Sequence, residues 1–170
     1  DDESRVLVLP GTHSKWALVE GGEVSRFATF MTGEVFAVLK EHSILGRLMT
    51  GETTDAAAWA RGVGHGLDEA SEHGGLLRRL FSARSLALFD ELPEAGVASY
   101  LSGLLLGAEI REARCAFMTG AAPVLLLGSA ELCDLYAEAL ALAGLGAEQG
   151  PDDAAARGHW RIAAAAGLLT

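Results

Sequence analysis

Cysteines are scarce in this sequence, and their scarcity narrows the classes of protein to consider. Cys115 and Cys133 are the two cysteines among 170 residues, and both fall within apolar helical patterns. We therefore expect reduced thiols in a cytoplasmic protein rather than a disulfide framework. The sequence also lacks the spacing of ligands that marks a metal site, so we expect no metal-binding motif.

Basic residues and long apolar runs are scarce as well. The chain has 13 Lys and Arg against 23 Asp and Glu, a formal net charge of -10. Nucleic acids and anionic membranes attract basic surfaces, so we expect neither as a partner. An anionic ligand must instead be bound locally, by backbone amides and a few cations. The apolar runs at residues 104–106 and 124–127 are far below the roughly 20 residues that a membrane span needs, and no signal peptide is recognisable.

What the sequence does contain is enough apolar residues for one core. Half of its residues are hydrophobic, and a chain of this length can bury a substantial core as one domain. We expect a single domain over residues 1–170, with a helical block at about residues 50–118. The chain begins without Met, and five polar or charged residues lead directly into an apolar strand. We therefore expect a fragment or a processed chain.

The most informative stretch is an apolar run at residues 6–9 that ends in a Pro-Gly pair. This pattern predicts a buried strand that enters a tight turn. In that turn Gly11 allows the backbone to approach a ligand closely. Thr12 and Ser14 supply hydroxyl groups, and Lys15 supplies a compact cation. From these residues alone, an anion-binding turn and an ordinary hairpin corner remain equally open.

Periodicity predicts the order of the remaining elements. Residues 15–19 and 24–30 alternate around a Gly-Gly loop, so the first three strands should form an antiparallel meander. Thr32 is predicted to cap a helix that ends at Gly46. Further helices are predicted over residues 56–70, with Thr54 or Asp55 as the cap, and over residues 76–89, 97–113 and 154–169. We expect the first three of these to form one layer that covers a face of the sheet.

Small residues inside the helical block suggest packing rather than ligand binding. Residues 62–66, GVGHG, look like a dinucleotide fingerprint, but they follow no strand and open no helix, so we do not favour that interpretation. Ser99, Gly103 and Gly107 recur every four residues, which predicts a groove where another helix approaches closely. Three arginines of residues 76–89 are expected on a solvated or partner-facing row, namely Arg78, Arg79 and Arg84.

A strand, a glycine turn and a helix follow at residues 124–143. A buried strand over residues 124–127 should end at Gly128, and Ser129 is predicted to cap the next helix. Ligands of such units commonly lie at the helix N-terminus, beside the carboxyl end of the strand. A purely structural turn explains Gly128 and Ser129 equally well, so both interpretations stay open. A short strand over residues 146–149 is predicted next.

Several motifs resemble one protein family over nearly the whole chain. The most specific are LPGTHSKW at residues 9–16 and FATFMTGEVFAVLKEHSILGRLM at residues 27–49. They are joined by FSARSL, SYLSGLLLGAE, LLLGS and ARGHWRIAAAAGLL. Together these motifs resemble the 2-dehydro-3-deoxygalactonokinases. The order of elements is that of a ribonuclease H-like α/β half-domain of the sugar kinase, Hsp70 and actin superfamily, in which two such halves bind ATP, and this chain resembles the C-terminal half.

The resemblance implies roles for particular residues. The loop that contacts the β- and γ-phosphates would consist of Gly11, Thr12, His13 and Ser14, with charge added by Lys15. The turn that packs against adenosine would contain Gly128 and Ser129. Candidates for lining the cleft are Thr32, Gly33 and Glu34, while Arg157 would be a structural clamp or a ligand contact. The resemblance also implies that the first phosphate loop, Asp-x-Gly-Thr, and the catalytic carboxylate belong to the N-terminal half, upstream of this chain. None of Asp55, Asp68 and Asp90 lies in a motif that would replace them.

The activity implied is that of an ATP- and Mg²⁺-dependent kinase acting on the 6-hydroxyl of 2-dehydro-3-deoxy-D-galactonate, in galactonate catabolism. This chain alone would hold part of the ATP site and be inactive. Another sugar or sugar-acid kinase, or a non-catalytic nucleotide-binding module, remain alternatives. A hydrolase with Ser14 as nucleophile is disfavoured, because His13, its neighbour on a strand, would point to the opposite face. An apolar face left uncovered by the N-terminal half predicts self-association.

Overall fold

A mixed five-stranded sheet forms the framework of the computed structural model, which describes residues 4–50, 54–69, 74–118, 123–151 and 153–168. The strands are β1 (Arg5–Leu9), β2 (Ser14–Glu20), β3 (Glu23–Phe30), β4 (Val124–Leu126) and β5 (Ala147–Gln149), in the spatial order β3-β2-β1-β4-β5. The first three strands pair antiparallel. β4 lies parallel to β1, and β5 lies parallel to β4. The predicted meander and the two later strands are confirmed.

Six α-helices accompany the sheet within the described ranges. They are α1 (Thr32–His42), α2 (Ala56–Leu67), α3 (Leu76–Leu88), α4 (Val97–Phe117), α5 (Ala130–Leu142) and α6 (Ala154–Ala165). Short 3-10 turns cover Gly46–Leu48 and Glu94–Gly96. α1 ends at His42, earlier than predicted, and Gly46 opens the 3-10 turn. The predicted ends of two helices at residues 70 and 169 lie outside the described residues.

The main core lies between the sheet and α4. Val8, Trp16 and Leu126 of the sheet are fully buried, together with Ile110 of α4 and Leu140 of α5. Alternation along the strands directs these side chains to one face. Burying large apolar side chains stabilises the fold by roughly 1.5 to 3 kcal/mol each. This core fixes α4 and α5 against the sheet, close to the carboxyl ends of β1 and β4.

The helical block is deeper than the single layer that we predicted. Ala83 of α3 packs with Ala58 of α2 and with Tyr100 and Leu104 of α4, in a second cluster that contains no strand residue. α4 therefore lies between the sheet and α3. The prediction was wrong because α4 is buried on most of its surface, and a helix buried all round can carry a further layer.

α2 and α4 touch backbone to backbone. A Cβ atom added at Gly62 or Gly66 of α2, or at Gly103 or Gly107 of α4, would lie between 2.1 and 2.3 Å from a carbonyl oxygen of the facing helix. Only glycine permits this approach. The predicted groove on α4 is confirmed, and the GVGHG segment lies inside α2 as part of the same contact.

Two of the three predicted helix caps differ from the prediction in detail. Asp55 does cap α2, because its side chain accepts a hydrogen bond from the Ala58 amide at 2.9 Å. Thr32 is instead the first residue of α1, and Met31 occupies the cap position. Ser129 occupies the cap position of α5, but its side chain makes no capping bond. The hydroxyl of Thr32 is used elsewhere, in a cluster described below.

The structure describes the surroundings of both cysteines. Cys115 is exposed, Cys133 is buried, and neither forms a disulfide. No helix in the described part of the chain is long and apolar enough to cross a membrane. Within the same ranges, no three His, Cys, Asp or Glu side chains are grouped as a metal site.

Candidate functional site

The turns that follow β1 and β4 meet at one edge of the sheet. Because these strands are parallel neighbours, with Leu7 opposite Leu125, their carboxyl ends emerge side by side. The amide of Leu127 donates to the Val8 carbonyl at 2.9 Å. A Cβ added at Gly128 would lie 3.4 Å from Cδ of the proline at residue 10. Two segments that the sequence singled out separately are therefore adjacent.

The first turn of α1 supports the turn after β1. The amide of Glu34 donates to the Thr12 carbonyl at 3.2 Å. A Cβ added at Gly33 would lie 2.9 Å from Thr12 Cα, so a larger residue would displace the turn. His13 Nε2 lies 2.5 Å from Glu34 Oε2, in a pair whose side chains are each nearly half exposed. Thr32, Gly33 and Glu34 are thus placed beside residues 11–13.

The outer surface of the turn is open. Gly11 has free space where a side chain would be, and Thr12 and His13 are exposed. Lys15 Nζ donates to the His13 carbonyl at 2.6 Å, which holds its positive charge against the turn. An exposed turn with a nearby cation is suited to anions, because backbone N–H groups and a point charge both favour them.

Ser14 and Thr32 face inward, to a carboxylate that we did not predict. Ser14 is fully buried, and its Oγ donates to Glu109 Oε1 at 2.7 Å. Trp16 Nε1 donates to the same oxygen at 2.8 Å, and the Tyr136 hydroxyl donates to both carboxylate oxygens at 3.1 Å. Thr32 Oγ1 donates to Glu109 Oε2. The hydroxyl of Ser14 therefore faces the core and not the open surface of the turn.

The same contacts argue against hydrolase chemistry. The Ser14 hydroxyl is bonded to Glu109, and the ring of His13 is bonded to Glu34. A serine nucleophile needs a base within hydrogen-bond reach, and His13 does not fill that role here. His13 lies in the turn before β2 and is exposed, whereas Ser14 begins β2 and is buried, so the two side chains point in different directions.

Burial keeps Tyr136 a neutral hydrogen-bond donor. Desolvation raises the pKa of Tyr136 far above its ordinary value, and the negative charge of Glu109 adds to the increase. Glu109 is 3% exposed and lies on α4 among apolar residues. The only signal for it in the sequence is one acid within the apolar run LLLGAEI. That signal does not say which donors surround the carboxylate.

An open, mainly apolar cleft of about 640 Å³ lies beside Gly128 and Ser129. One wall comes from Leu9 and Leu127 at the strand ends. The other comes from α6, where Gly158, His159 and Ile162 line the cleft. The sequence predicted the two turn residues but not α6, because an Ala-rich helical pattern carries no signal for a ligand. In the structure α6 has no buried residue. Arg157 does not line the cleft, and its Nε pairs with Asp153 Oδ2 at 2.7 Å on the same exposed helix.

The fold and the site together define an α/β protein in which an exposed turn with a nearby lysine lies beside an apolar cleft. A family model described as 2-keto-3-deoxy-galactonokinase matches residues 1–162. The chain belongs to this family.

Curated proteins and a solved structure agree with the family. The chain is 35% identical over 111 residues to the 2-dehydro-3-deoxygalactonokinase of Escherichia coli (strain K12), which covers 65% of this chain and 37% of that protein. It is 35% identical over 164 residues to the "Probable 2-dehydro-3-deoxygalactonokinase DgoK1" of Rhizobium meliloti (strain 1021). That match covers 96% of this chain and 53% of that protein. A crystal structure assigned as a 2-dehydro-3-deoxygalactonokinase from Sinorhizobium meliloti matches with a TM-score of 0.84 and 32% identity. That match covers 100% of this chain and 56% of the chain in the crystal structure. The chain spans about half the length of the longer matches.

Proposed function

We propose that this chain is the C-terminal half-domain of a kinase that transfers the γ-phosphoryl group of ATP to the 6-hydroxyl of 2-dehydro-3-deoxy-D-galactonate. Relatives of about twice its length carry the name of that kinase. We also assign it a ribonuclease H-like fold of the sugar kinase, Hsp70 and actin superfamily. The antiparallel meander followed by two parallel strands supports this assignment. A cytoplasmic location stays a prediction.

The observation that carries the proposal is the meeting of three predicted segments at one edge of the sheet. Residues 11–13 would bind the β- and γ-phosphates through backbone N–H groups and the exposed Thr12 hydroxyl. Lys15, held at the His13 carbonyl, would add positive charge. Such local binding is needed because the chain as a whole carries a net charge of -10. Ser14 would serve the loop by fixing its end, since its hydroxyl is bonded to Glu109.

The cleft beside Gly128 would bind the adenosine. Its volume of about 640 Å³ and apolar walls are typical of sites for small organic ligands. The cleft adjoins the anion-receptive turn, because Gly128 packs against the residue that precedes Gly11. A single ligand with an anionic end and an apolar ring system would span both features. ATP has this chemistry.

Magnesium and the catalytic base complete the proposed reaction. Mg²⁺ commonly binds phosphate oxygens, waters and one or two carboxylates, so it would arrive with the nucleotide. Glu34 is a partly exposed carboxylate at the turn that would accept a hydrogen bond from such a bound water. Phosphoryl transfer also needs a carboxylate that accepts the proton of the sugar hydroxyl. We propose that this group lies in the N-terminal half.

Replacing Gly11 with alanine tests the phosphate-binding role. The added methyl group meets no atom within 4 Å in the protein, so the fold should not change. It would, however, occupy the space that a phosphate needs. We expect ATP affinity to fall about tenfold, equivalent to roughly 1.4 kcal/mol. Calorimetric titration of the complete protein with ATP, together with its thermal midpoint, measures both effects.

Gly64→Ala is the matched control, because a methyl group there also meets no atom within 4 Å but lies on α2. It should bind ATP like the unchanged protein. Equal ATP affinity of the Gly11→Ala and Gly64→Ala variants would contradict the phosphate-binding role of the turn. An absence of ATP binding in the unchanged protein would contradict the nucleotide site as a whole.

A further inference from the structure

Glu109 forms a buried hydrogen-bonded centre beneath the proposed phosphate-binding turn. Its carboxylate accepts five hydrogen bonds from four side chains, which lie on β2, α1 and α5. No ion pair within the described ranges involves it. A carboxylate removed from water is costly unless hydrogen bonds replace its hydration. The four donors are therefore held in place by a strong energetic requirement.

The four donors divide into two pairs. Ser14 comes directly after the turn at residues 11–13, and Thr32 opens the helix whose next two residues contact that turn. Trp16 and Tyr136 belong to the main core, where they are 0% and 4% exposed. Glu109 thus connects both segments that shape the turn to the rigid centre of the molecule.

We propose that Glu109 is a positioning residue for phosphoryl transfer, acting through Ser14 and Thr32 on the turn at residues 11–13. This inference rests on the proposed function of the turn. Glu109 is buried and touches no part of the proposed ligand site itself. Its effect is to fix the positions of the turn and of the start of α1. Such preorganisation matters because small displacements of a phosphate-binding group reduce the rate of transfer.

The variant Thr32→Val tests the connection to the turn. Valine has nearly the shape of threonine but cannot donate to Glu109. We expect kcat/KM for ATP to fall about 10- to 100-fold, because misplacement of a positioning group by about 1 Å has effects of that size. KM for the sugar acid should stay within about twofold of the original value. Thr32→Ser keeps the hydroxyl and should restore most of the activity.

Tyr136→Phe is the matched control. It removes a donor from the same carboxylate, but the lost hydroxyl donates to Glu109 and bonds neither the turn nor α1. We expect it to lower the thermal midpoint at least as much as Thr32→Val, while kcat/KM for ATP stays within about twofold. If activity instead falls in proportion to thermal midpoint in both variants, Glu109 is merely structural and the proposal is overturned.

Glu109→Gln provides a second test in the complete protein. Trp16 Nε1 can only donate, so the glutamine oxygen must face it, and the amide group must face Thr32. The hydrogen bond from Thr32 is thereby reversed while the shape of the side chain is kept. We expect the same loss of kcat/KM for ATP as in Thr32→Val. Full activity in Glu109→Gln would contradict the proposal.

Amide hydrogen exchange separates this inference from the proposed kinase activity. If the unchanged complete protein phosphorylates no sugar acid, the proposed function fails, and exchange of the Glu34 amide, which donates to the Thr12 carbonyl, decides the positioning role. Thr32→Val and Glu109→Gln should speed exchange of this amide by about tenfold or more, equivalent to a tenfold change in an opening equilibrium. Tyr136→Phe should leave its exchange unchanged. Equal exchange in all variants would overturn the positioning role.

Discussion

At the scale of single residues, the site is divided into an outer set open to solvent and an inner set bonded to Glu109. Thr12, His13 and Lys15 are at least partly exposed. Ser14 is as polar as Thr12, yet its side chain is fully buried. Residue type predicted which side chains can bind an anion, but only the strand register decides which of them face outward.

The two tyrosines of the chain, Tyr100 and Tyr136, allow a test of burial by pH. Burial raises the pKa of both, and the hydrogen bond between Ser82 and Tyr100 only partly opposes the increase at Tyr100. The neutral phenol is thus favoured in the folded state. The resulting stability is complete below the ordinary pKa of 10.0 and is lost as pH rises above it. Tyrosinate absorbance should therefore rise at a higher pH in the folded protein than in the chain unfolded by urea.

A control for this titration is available in Tyr136→Phe, which should show about half of the absorbance change, since the chain has two tyrosines. Reversible ionisation of both tyrosines near their ordinary pKa, with native circular dichroism retained, would contradict the buried positions described here.

At the scale of elements, α2 and α4 pack backbone against backbone. This contact places Glu109 at a fixed depth, because Gly103 and Gly107 of α4 lie against the backbone of α2 six and two residues before it. The contact is made by backbone atoms, so it has little capacity to adjust. The site therefore depends on glycines that belong to no binding motif.

Gly103→Ala should destabilise the chain strongly. Its methyl group would lie 2.1 Å from the Trp59 carbonyl oxygen, so the helices must separate. We expect a loss of about 2 to 3 kcal/mol in the free energy of unfolding, the range found for overpacked cores. Gly64→Ala, on the exposed side of α2, should instead increase stability by about 0.5 to 1 kcal/mol, because alanine favours the helix. Urea unfolding measures both, and equal stabilities would contradict the contact.

The sequence was sufficient for elements that depend on local patterns. Strand alternation and the Gly-Gly loop predicted the meander. Gly128 located the turn of the strand-turn-helix unit at residues 124–143. Features that depend on packing were not predictable in this way. Arg79 was expected on a solvated or partner-facing row, but it is 2% exposed and donates to the carbonyls of His65 and Gly74 at 2.8 and 2.9 Å. Neither this burial nor the environment of Glu109 leaves a periodic signal.

At the scale of the whole molecule, the chain accounts for about half the length of its longer relatives. Several large apolar side chains are exposed in it, including Phe27 on the outer strand β3 and Trp160 on α6, at 61% and 64%. Exposed apolar surface of this kind marks interaction sites or promotes association. The expected self-association of the isolated chain stays a prediction.

The measurement that tests the central claim most directly is an ATP-dependent phosphorylation assay on the complete protein. The acceptors are 2-dehydro-3-deoxy-D-galactonate and a panel of other sugars and sugar acids, and Thr12→Ala is assayed in parallel. We expect turnover confined to the galactonate derivative and reduced about tenfold by Thr12→Ala, the effect of losing one phosphate-binding hydroxyl. Turnover of a different acceptor would contradict the substrate assignment. No turnover of any acceptor by a folded protein that binds ATP would contradict the kinase assignment and favour a nucleotide-binding module.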